Sequence, residues 1–300
     1  KGEDFMKEKV KAFFASIGYL IVALLSQLLV SVIGGVIIGI FYVINEMGNT
    51  TNGMNPVNPD LDSLIQFTLS ITNVFLLISS IITVLILFLI YKIRKKNCSE
   101  ELKIKKTSGF NIGFAIILGI SCWLFNSGVL SLIDEAGLFS NQFQYMEDIL
   151  APLSSGSLTL SIITVGIVAP FAEEFLFRGV IYNTLSKKIS VRWAIIIQAV
   201  LFGVFHFNLI QGAYATLLGL IFGYVTYKTK SLWPAVIMHM INNLIATIAP
   251  YVLSESFGGT TVYILFAIIG AIGITIGVFL TKSKNTDDEE ILSFNNTNNF

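Results

Sequence analysis

Long apolar stretches separated by short polar segments run through the chain. A transmembrane helix needs about 20 apolar residues, and the pattern predicts eight of them, at 13–44, 67–91, 110–133, 157–185, 192–208, 211–227, 232–250 and 262–281. The fifth is short at its outer end and is expected to stop within the membrane. Pro170 is expected to break the fourth into two pieces. We therefore predict an all-α, polytopic membrane protein.

The basic residues lie on alternate connections between these helices. Every Lys and Arg except Arg178 falls before the first helix or after the second, fourth, sixth or eighth helix. The other connections contain no Lys or Arg. Because cytoplasmic loops carry an excess of Lys and Arg, this distribution predicts that both termini are cytoplasmic.

Composition excludes several classes of protein. Of the 300 residues, 54% are hydrophobic and 13% are charged, whereas an ordinary soluble domain has about 25% charged residues. The formal net charge is zero, so no overall field attracts nucleic acid. The two cysteines, Cys98 and Cys122, lie in a basic loop and inside a predicted helix, which gives no sign of a disulfide scaffold. We expect a multi-pass protein of the cell membrane with no nucleic-acid partner.

Glycines recur at helical spacings along three of the predicted helices. They are Gly212, Gly219 and Gly223, the pair Gly35 and Gly39, and the pair Gly273 and Gly277. Small residues at such spacings let two helices approach closely. Close helix packing is therefore the interpretation that these glycines favour.

Three charged side chains lie inside the fourth predicted helix. An ionisable group there costs at least about 2.5–3.5 kcal/mol and marks a functional site by default. Glu174 and Arg178 are four residues apart, so they share a helix face and can pair. Glu173 projects about 100° away around the helix. One carboxylate can thus be neutralised structurally while the other remains available for chemistry.

The only two histidines, His206 and His239, also lie in apolar helices, and Asn243 follows His239 by one helical turn. A single intramembrane His or Asn often only bonds a neighbouring helix, and a Glu–Arg pair can simply hold two helices together. The set as a whole contains a base, candidate metal ligands and hydrogen-bond donors, which are the groups that hydrolysis requires. It favours a catalytic site.

Three short motifs carry these residues in order along the chain. They are Glu173-Glu174-Phe-Leu-Phe-Arg178, Phe202-x-x-x-His206 and His239-x-x-x-Asn243. Together they resemble the CPBP family of intramembrane proteases, which includes CAAX proteases and bacteriocin-processing proteins. The resemblance covers about residues 157–247 and implies an eight-helix fold that hydrolyses a peptide bond within the membrane.

The resemblance also implies roles for the charged residues. Glu173 would be the general base that activates water. Glu174 would support that base or share in binding a metal, and Arg178 would orient the two glutamates. The expected activity is that of an intramembrane endopeptidase acting on a membrane-associated protein or peptide.

The remaining motif residues have two implied roles each. His206 would hold the water or a metal. His239 and Asn243 would bind the developing oxyanion, or His239 would complete a zinc site with Glu173 and His206. Two His, one Glu and water form a known catalytic zinc shell, while a buried glutamate can act as a base without metal. Both versions remain open.

The resemblance divides the chain into four regions. Residues 1–156 are expected to form an N-terminal membrane region with three transmembrane helices and an outer interfacial helix near 138–150. Residues 157–250 form the catalytic core, 251–284 the last helix and 285–300 a polar tail.

Two other functions are compatible with the same residues. A proton-coupled transporter could use Glu173, Glu174 and His206 as a relay, and a bacteriocin immunity protein could capture its toxin without cleaving it. The richness in Ile, Lys and Asn suggests a bacterium of low GC content. The expected location is therefore a bacterial plasma membrane, where a prenylated substrate is not expected.

Overall fold

The computed structural model describes residues 2–50, 61–154, 156–253 and 257–281 of the chain. The helices are α1 (Gly2–Thr50), α2 (Leu61–Ser70), α3 (Thr72–Ile93), α4 (Cys98–Glu101), α5 (Gly109–Glu135), α6 (Ser140–Ser154), α7 (Leu158–Ser186), α8 (Val191–Val204), α9 (Leu209–Thr229), α10 (Trp233–Val252) and α11 (Thr260–Leu280). The predicted polar tail 285–300 lies outside the described residues.

The all-α, polytopic membrane fold is confirmed. Seven of these helices are long and apolar enough to cross a membrane. The remaining predicted segment, the fifth (192–208), corresponds to α8, which has 14 residues and rises about 21 Å. This length is shorter than the hydrocarbon core of about 30 Å. It is consistent with the prediction that this helix ends within the membrane. The cytoplasmic position of the termini and the interfacial position of α6 remain predictions.

Pro170 does not break α7, so that expectation was wrong. The helix is continuous from Leu158 to Ser186, and a π-helical segment, Ile162–Val168, ends two residues before the proline. At its end the backbone N–H of Ala169 bonds to the carbonyl of Thr164, five residues back. A proline ring normally clashes with the carbonyl four residues before it. The wider turn shifts the carbonyls that precede Pro170, which lets the helix continue.

Glycines bring the helices of the second half close together. A Cβ added at Gly219 of α9 would lie 2.8 Å from the Cα of Ala199 in α8. On α11, one added at Gly273 would lie 2.2 Å from Oγ of Ser121 in α5. The packing interpretation is confirmed at these glycines and also at Gly212, Gly223 and Gly277. Gly35 and Gly39 on α1 face open space within this chain.

The most buried part of the molecule is the middle of α7. Every residue from Glu174 to Tyr182 is buried, among helices α1, α3, α8 and α10. Much of α1, by contrast, exposes apolar side chains such as Leu28, Val36 and Phe41, as a lipid-facing helix would. The fold therefore places the charged motif of α7 at its centre.

Candidate active site

Glu174 is the structural member of the glutamate pair. Its Oε1 accepts a hydrogen bond from Nη1 of Arg178 at 2.9 Å, and both side chains are fully buried. The same oxygen lies 2.9 Å from Nδ1 of His239. Although a second π-helical segment, Phe175–Ile181, begins directly after Glu174, the predicted pairing with Arg178 is kept. Through its contact with His239, Glu174 thus links α7 to α10.

The guanidinium of Arg178 is held by aromatic rings as well as by charge. Its Cζ lies 4.5 Å from the ring centre of Phe202 and 5.3 Å from that of Phe222. Attraction between a cation and an aromatic face is worth about 2 kcal/mol when the cation is removed from water. This helps to offset burial, because Nε and Nη2 have no hydrogen-bond partner among the described residues.

His239 connects the two glutamates. A carboxylate can only accept a hydrogen bond, so its bond to Glu174 assigns a proton to Nδ1 of His239. The other ring nitrogen, Nε2, lies 3.7 Å from Oε2 of Glu173. The ring packs 5.7 Å from Phe202 and 5.4 Å from Phe222, between centroids. Its orientation is therefore fixed by one charge contact and two aromatic contacts.

Glu173 is the available carboxylate. Its side chain is 21% exposed, whereas that of Glu174 is wholly buried. Its Oε2 lies 3.7 Å from Nε2 of His239, a distance longer than a hydrogen bond. Two adjacent glutamates therefore have opposite surroundings, as their angular separation on the helix predicts.

His206 completes the cluster from the turn that follows α8. Its Nδ1 lies 2.8 Å from the carbonyl oxygen of Phe202. A carbonyl only accepts, so Nδ1 carries the proton and the Nε2 lone pair is left for another ligand. Its ring interacts electrostatically with Glu173, His239 and Arg178. Three motifs from separate helices thus meet at one place.

The contacts of Phe202 give a structural reason for the phenylalanine that begins the motif Phe202-x-x-x-His206. Its ring centre lies 5.0 Å from that of His206 and 5.7 Å from that of His239. The Arg178 guanidinium lies over the same ring. Sequence reasoning gave this ring no role. It is the apolar wall against which both imidazoles and the cation are positioned.

Asn243 binds the backbone of α7. Its Nδ2 donates to the carbonyl of Val165 at 3.2 Å, and its Oδ1 accepts from Nδ2 of Asn242 at 3.0 Å. Val165 lies in the π-helical segment before Pro170. An amide has two N–H donors, so one remains for a ligand. Its predicted oxyanion role stays a prediction.

Tyr214 is a neighbour of Glu173 that sequence reasoning missed. Its hydroxyl interacts electrostatically with the Glu173 carboxylate and is hydrogen-bonded to the side chain of Gln211. The signal in the sequence was a pair of polar side chains, three residues apart, in the first two turns of α9. Such a pair shares one helix face.

The predicted zinc ligands fit the metal in chemistry but not in position. Both imidazoles have a free Nε2, and each Nδ1–H is oriented by an oxygen, as zinc-binding histidines usually are. Among the described residues, however, no group of three His, Cys, Asp or Glu side chains is close enough to hold a metal ion. We therefore derive no catalytic step through zinc.

Comparison with known proteins identifies a matching family and a similar bacterial protein. Residues 155–245 match the family model described as Type II CAAX prenyl endopeptidase Rce1-like, which confirms the predicted family resemblance for this region. The chain is also 29% identical over 148 residues to a Bacillus subtilis protein named "Putative membrane peptidase YdiL". This match covers 48% of the chain and 58% of the relative's length. No solved structure matches the chain.

Proposed function

We propose that the protein is an intramembrane endopeptidase in which Glu173 activates the hydrolytic water. The observation that carries this proposal is the contrast between the two glutamates. Glu174 is buried and bonded to Arg178 and His239, while Glu173 is partly exposed beside two imidazoles. The matched family and the peptidase name of the relative support a protease.

The reaction needs one proton to move twice. Glu173 takes a proton from water as the water oxygen attacks the carbonyl carbon of the substrate. The Nε2 lone pair of His206 accepts a hydrogen bond that orients this water. When the C–N bond breaks, the protonated Glu173 returns the proton to the leaving nitrogen. Water is consumed, and a carboxylic acid and an amine are released, between which one proton then passes to give a carboxylate and an ammonium group.

The oxyanion needs donors on the other side of the scissile bond. His239 supplies one when its Nε2 is protonated, because the Glu174 carboxylate stabilises the resulting imidazolium. The second Nδ2 hydrogen of Asn243 and the hydroxyl of Tyr214 are further candidates. Removing one such donor typically costs about 10²–10³ in kcat.

The substrate class follows from the position of the cluster. Glu173 lies inside a helix that is long and apolar enough to cross a membrane, and the neighbouring His206 packs against the rings of Phe202 and Phe205. The scissile bond therefore belongs to a membrane-associated peptide or protein that can place an extended segment beside α7.

The test is cleavage of a fluorogenic peptide library by the purified chain in detergent. We compare the wild type with Glu173→Gln and His206→Ala, and use Glu147→Gln on the exposed face of α6 as the matched control. Activity that both site variants lose and the control keeps supports the proposal. Equal cleavage by all four proteins would contradict it.

Further arms separate the remaining versions. Loss of activity with a chelator, restored by zinc, would assign the Glu173, His206 and His239 set to a metal. Ion flux into vesicles that depends on Glu173 and comes without cleavage would favour the transporter. Toxin protection that survives Glu173→Gln would favour capture.

A further inference from the structure

A cavity of about 220 Å³, lined largely by charged and hydroxyl-bearing residues, lies between the ends of α1, α3 and α7, away from the glutamate cluster. Thr184, which lines it, is 11 residues beyond Glu173 on α7, or about 16 Å along the helix. The cavity therefore belongs to a different part of the molecule from the candidate active site.

Positive charge predominates in the lining. Five basic residues line the cavity against two acidic ones, Glu8 and Glu101. The basic residues are Lys11, Arg94, Lys96, Lys187 and Lys188. They come from α1, from the end of α3 and the loop after it, and from the end of α7. The alternation of basic loops explains why they share one side of the membrane, but not why they converge on one cavity.

Both acidic residues are already bound. Glu8 pairs with Lys188 at 2.8 Å, and Glu101 pairs with Lys187 and with Lys96. Among the described residues, neither Lys11 nor Arg94 forms a salt bridge, although Lys11 interacts electrostatically with Glu8 over a longer distance. The two carboxylates of the lining are thus paired with the other three lysines, and Lys11 and Arg94 stay outside these salt bridges.

Hydroxyl groups lie at the inner end of the cavity. Nη1 of Arg94 donates to Oη of Tyr19 at 2.6 Å, so the hydroxyl proton of Tyr19 remains available as a donor. Tyr91 and Thr184 line the same region and are hydrogen-bonded to each other. A guanidinium fork beside hydroxyl donors and a lysine matches the geometry of a phosphate group.

We propose that this cavity binds a phosphate group, through Arg94, Lys11 and the hydroxyl of Tyr19. The phosphate can belong to an anionic phospholipid or to a free phosphate ion. A lipid is compatible with the position, since basic pockets between transmembrane helices on the cytoplasmic side bind lipid head groups. Exposed apolar side chains on α1 next to the cavity, such as Phe14 and Ile21, could contact its acyl chains.

The test is native mass spectrometry of the full chain in non-ionic detergent with dioctanoyl phosphatidylglycerol as the probe. We expect one molecule to bind the wild type, and the Lys11→Gln/Arg94→Gln double variant to bind about 10–100-fold more weakly. The matched control is Lys92→Gln, which removes an exposed charge from the same end of α3 without touching the cavity. It should bind like the wild type.

Two further arms make the result decisive. Arg94→Lys keeps the charge but loses the planar fork, so it should bind more weakly while its melting temperature stays near that of the wild type. Displacement of the lipid by inorganic phosphate, but not by chloride at equal ionic strength, would show that free phosphate also occupies the site. Failure of phosphate to displace it would assign the site to the lipid.

Three results would overturn the proposal. The first is no binding of either probe to the wild type. The second is equal binding by the wild type and the double variant. The third is equal weakening by Lys92→Gln, which would indicate a diffuse positive field instead of a site.

Discussion

The same chemical change at two adjacent glutamates should affect two different properties, activity at one position and stability at the other. Glu173→Gln and Glu174→Gln each replace a carboxylate by an amide of nearly the same shape. Glu174 is fully buried against Arg178, whereas Glu173 is 21% exposed and 3.7 Å from His239. We expect the first substitution to remove activity and the second to remove stability.

The magnitudes follow from burial. Glu174→Gln leaves the guanidinium of Arg178 inside the protein without the carboxylate that it pairs with, and breaking a buried ion pair in this way costs about 3–5 kcal/mol. At about 2–4 °C per kcal/mol, the melting temperature should fall by about 6–20 °C. Glu173→Gln removes only a partly exposed contact, which is worth about 0.2–1 kcal/mol.

The assay combines thermal unfolding in detergent with peptide cleavage on the same preparations. A double variant, Glu174→Gln/Arg178→Met, removes both members of the buried pair and should recover part of the stability that Glu174→Gln loses. The coupling between the two positions should be about 1–3 kcal/mol. Glu173→Gln should fold like the wild type and cleave nothing.

The reverse pattern would refute this reasoning. If Glu174→Gln melts like the wild type while Glu173→Gln is strongly destabilised, Glu174 is not the structural carboxylate. A double variant less stable than Glu174→Gln would show that the cost does not come from an unpaired Arg178.

Three further predictions concern other parts of the chain. Tyr214→Phe should lower kcat by about 10²-fold if its hydroxyl binds the oxyanion, with KM and melting temperature little changed; unchanged kcat would exclude that role. Burial lowers the pKa of Lys103 from 10.5 to about 8 in the folded protein. Between pH 8 and pH 10.5 the unfolded chain therefore binds a proton at Lys103 that the folded protein lacks, so the free energy of unfolding rises with pH. Lys103→Met should therefore raise the melting temperature at pH 7 and have little effect at pH 10.5, and a decrease at pH 7 would contradict this. Gly219→Ala should destabilise because its Cβ meets backbone at 2.8 Å, whereas Gly35→Ala, in open space, should stabilise by up to about 1 kcal/mol; equal effects would refute the packing argument.

Much of the architecture was predictable because lipid imposes a simple pattern. Each spanning helix must satisfy its own backbone, so apolar length alone reveals it. The pairing of Glu174 with Arg178 was also predictable, since spacing of four residues places two side chains on one face. Even the short α8 was visible as an apolar segment that ended early.

The missing details depend on contacts between helices. That His239 bonds to Glu174 and only approaches Glu173 depends on the rotation of α10 against α7, which periodicity does not fix. The role of Phe202 depends on His206, in the turn after its own helix, and on two partners from other helices, His239 and Arg178. The prediction that Pro170 breaks its helix was wrong because it assumed that the carbonyl four residues back has its regular α-helical position. The π-helical segment before the proline changes that position.

The central claim is that Glu173 activates water directly. The most direct test is a single turnover in ¹⁸O-labelled water, with a peptide that the library identifies as a substrate. We predict one ¹⁸O atom in the new carboxylate of the product and none in the protein. Label found in the Glu173 carboxylate, with unlabelled product, would contradict the claim, because it would mean that Glu173 attacks the substrate itself.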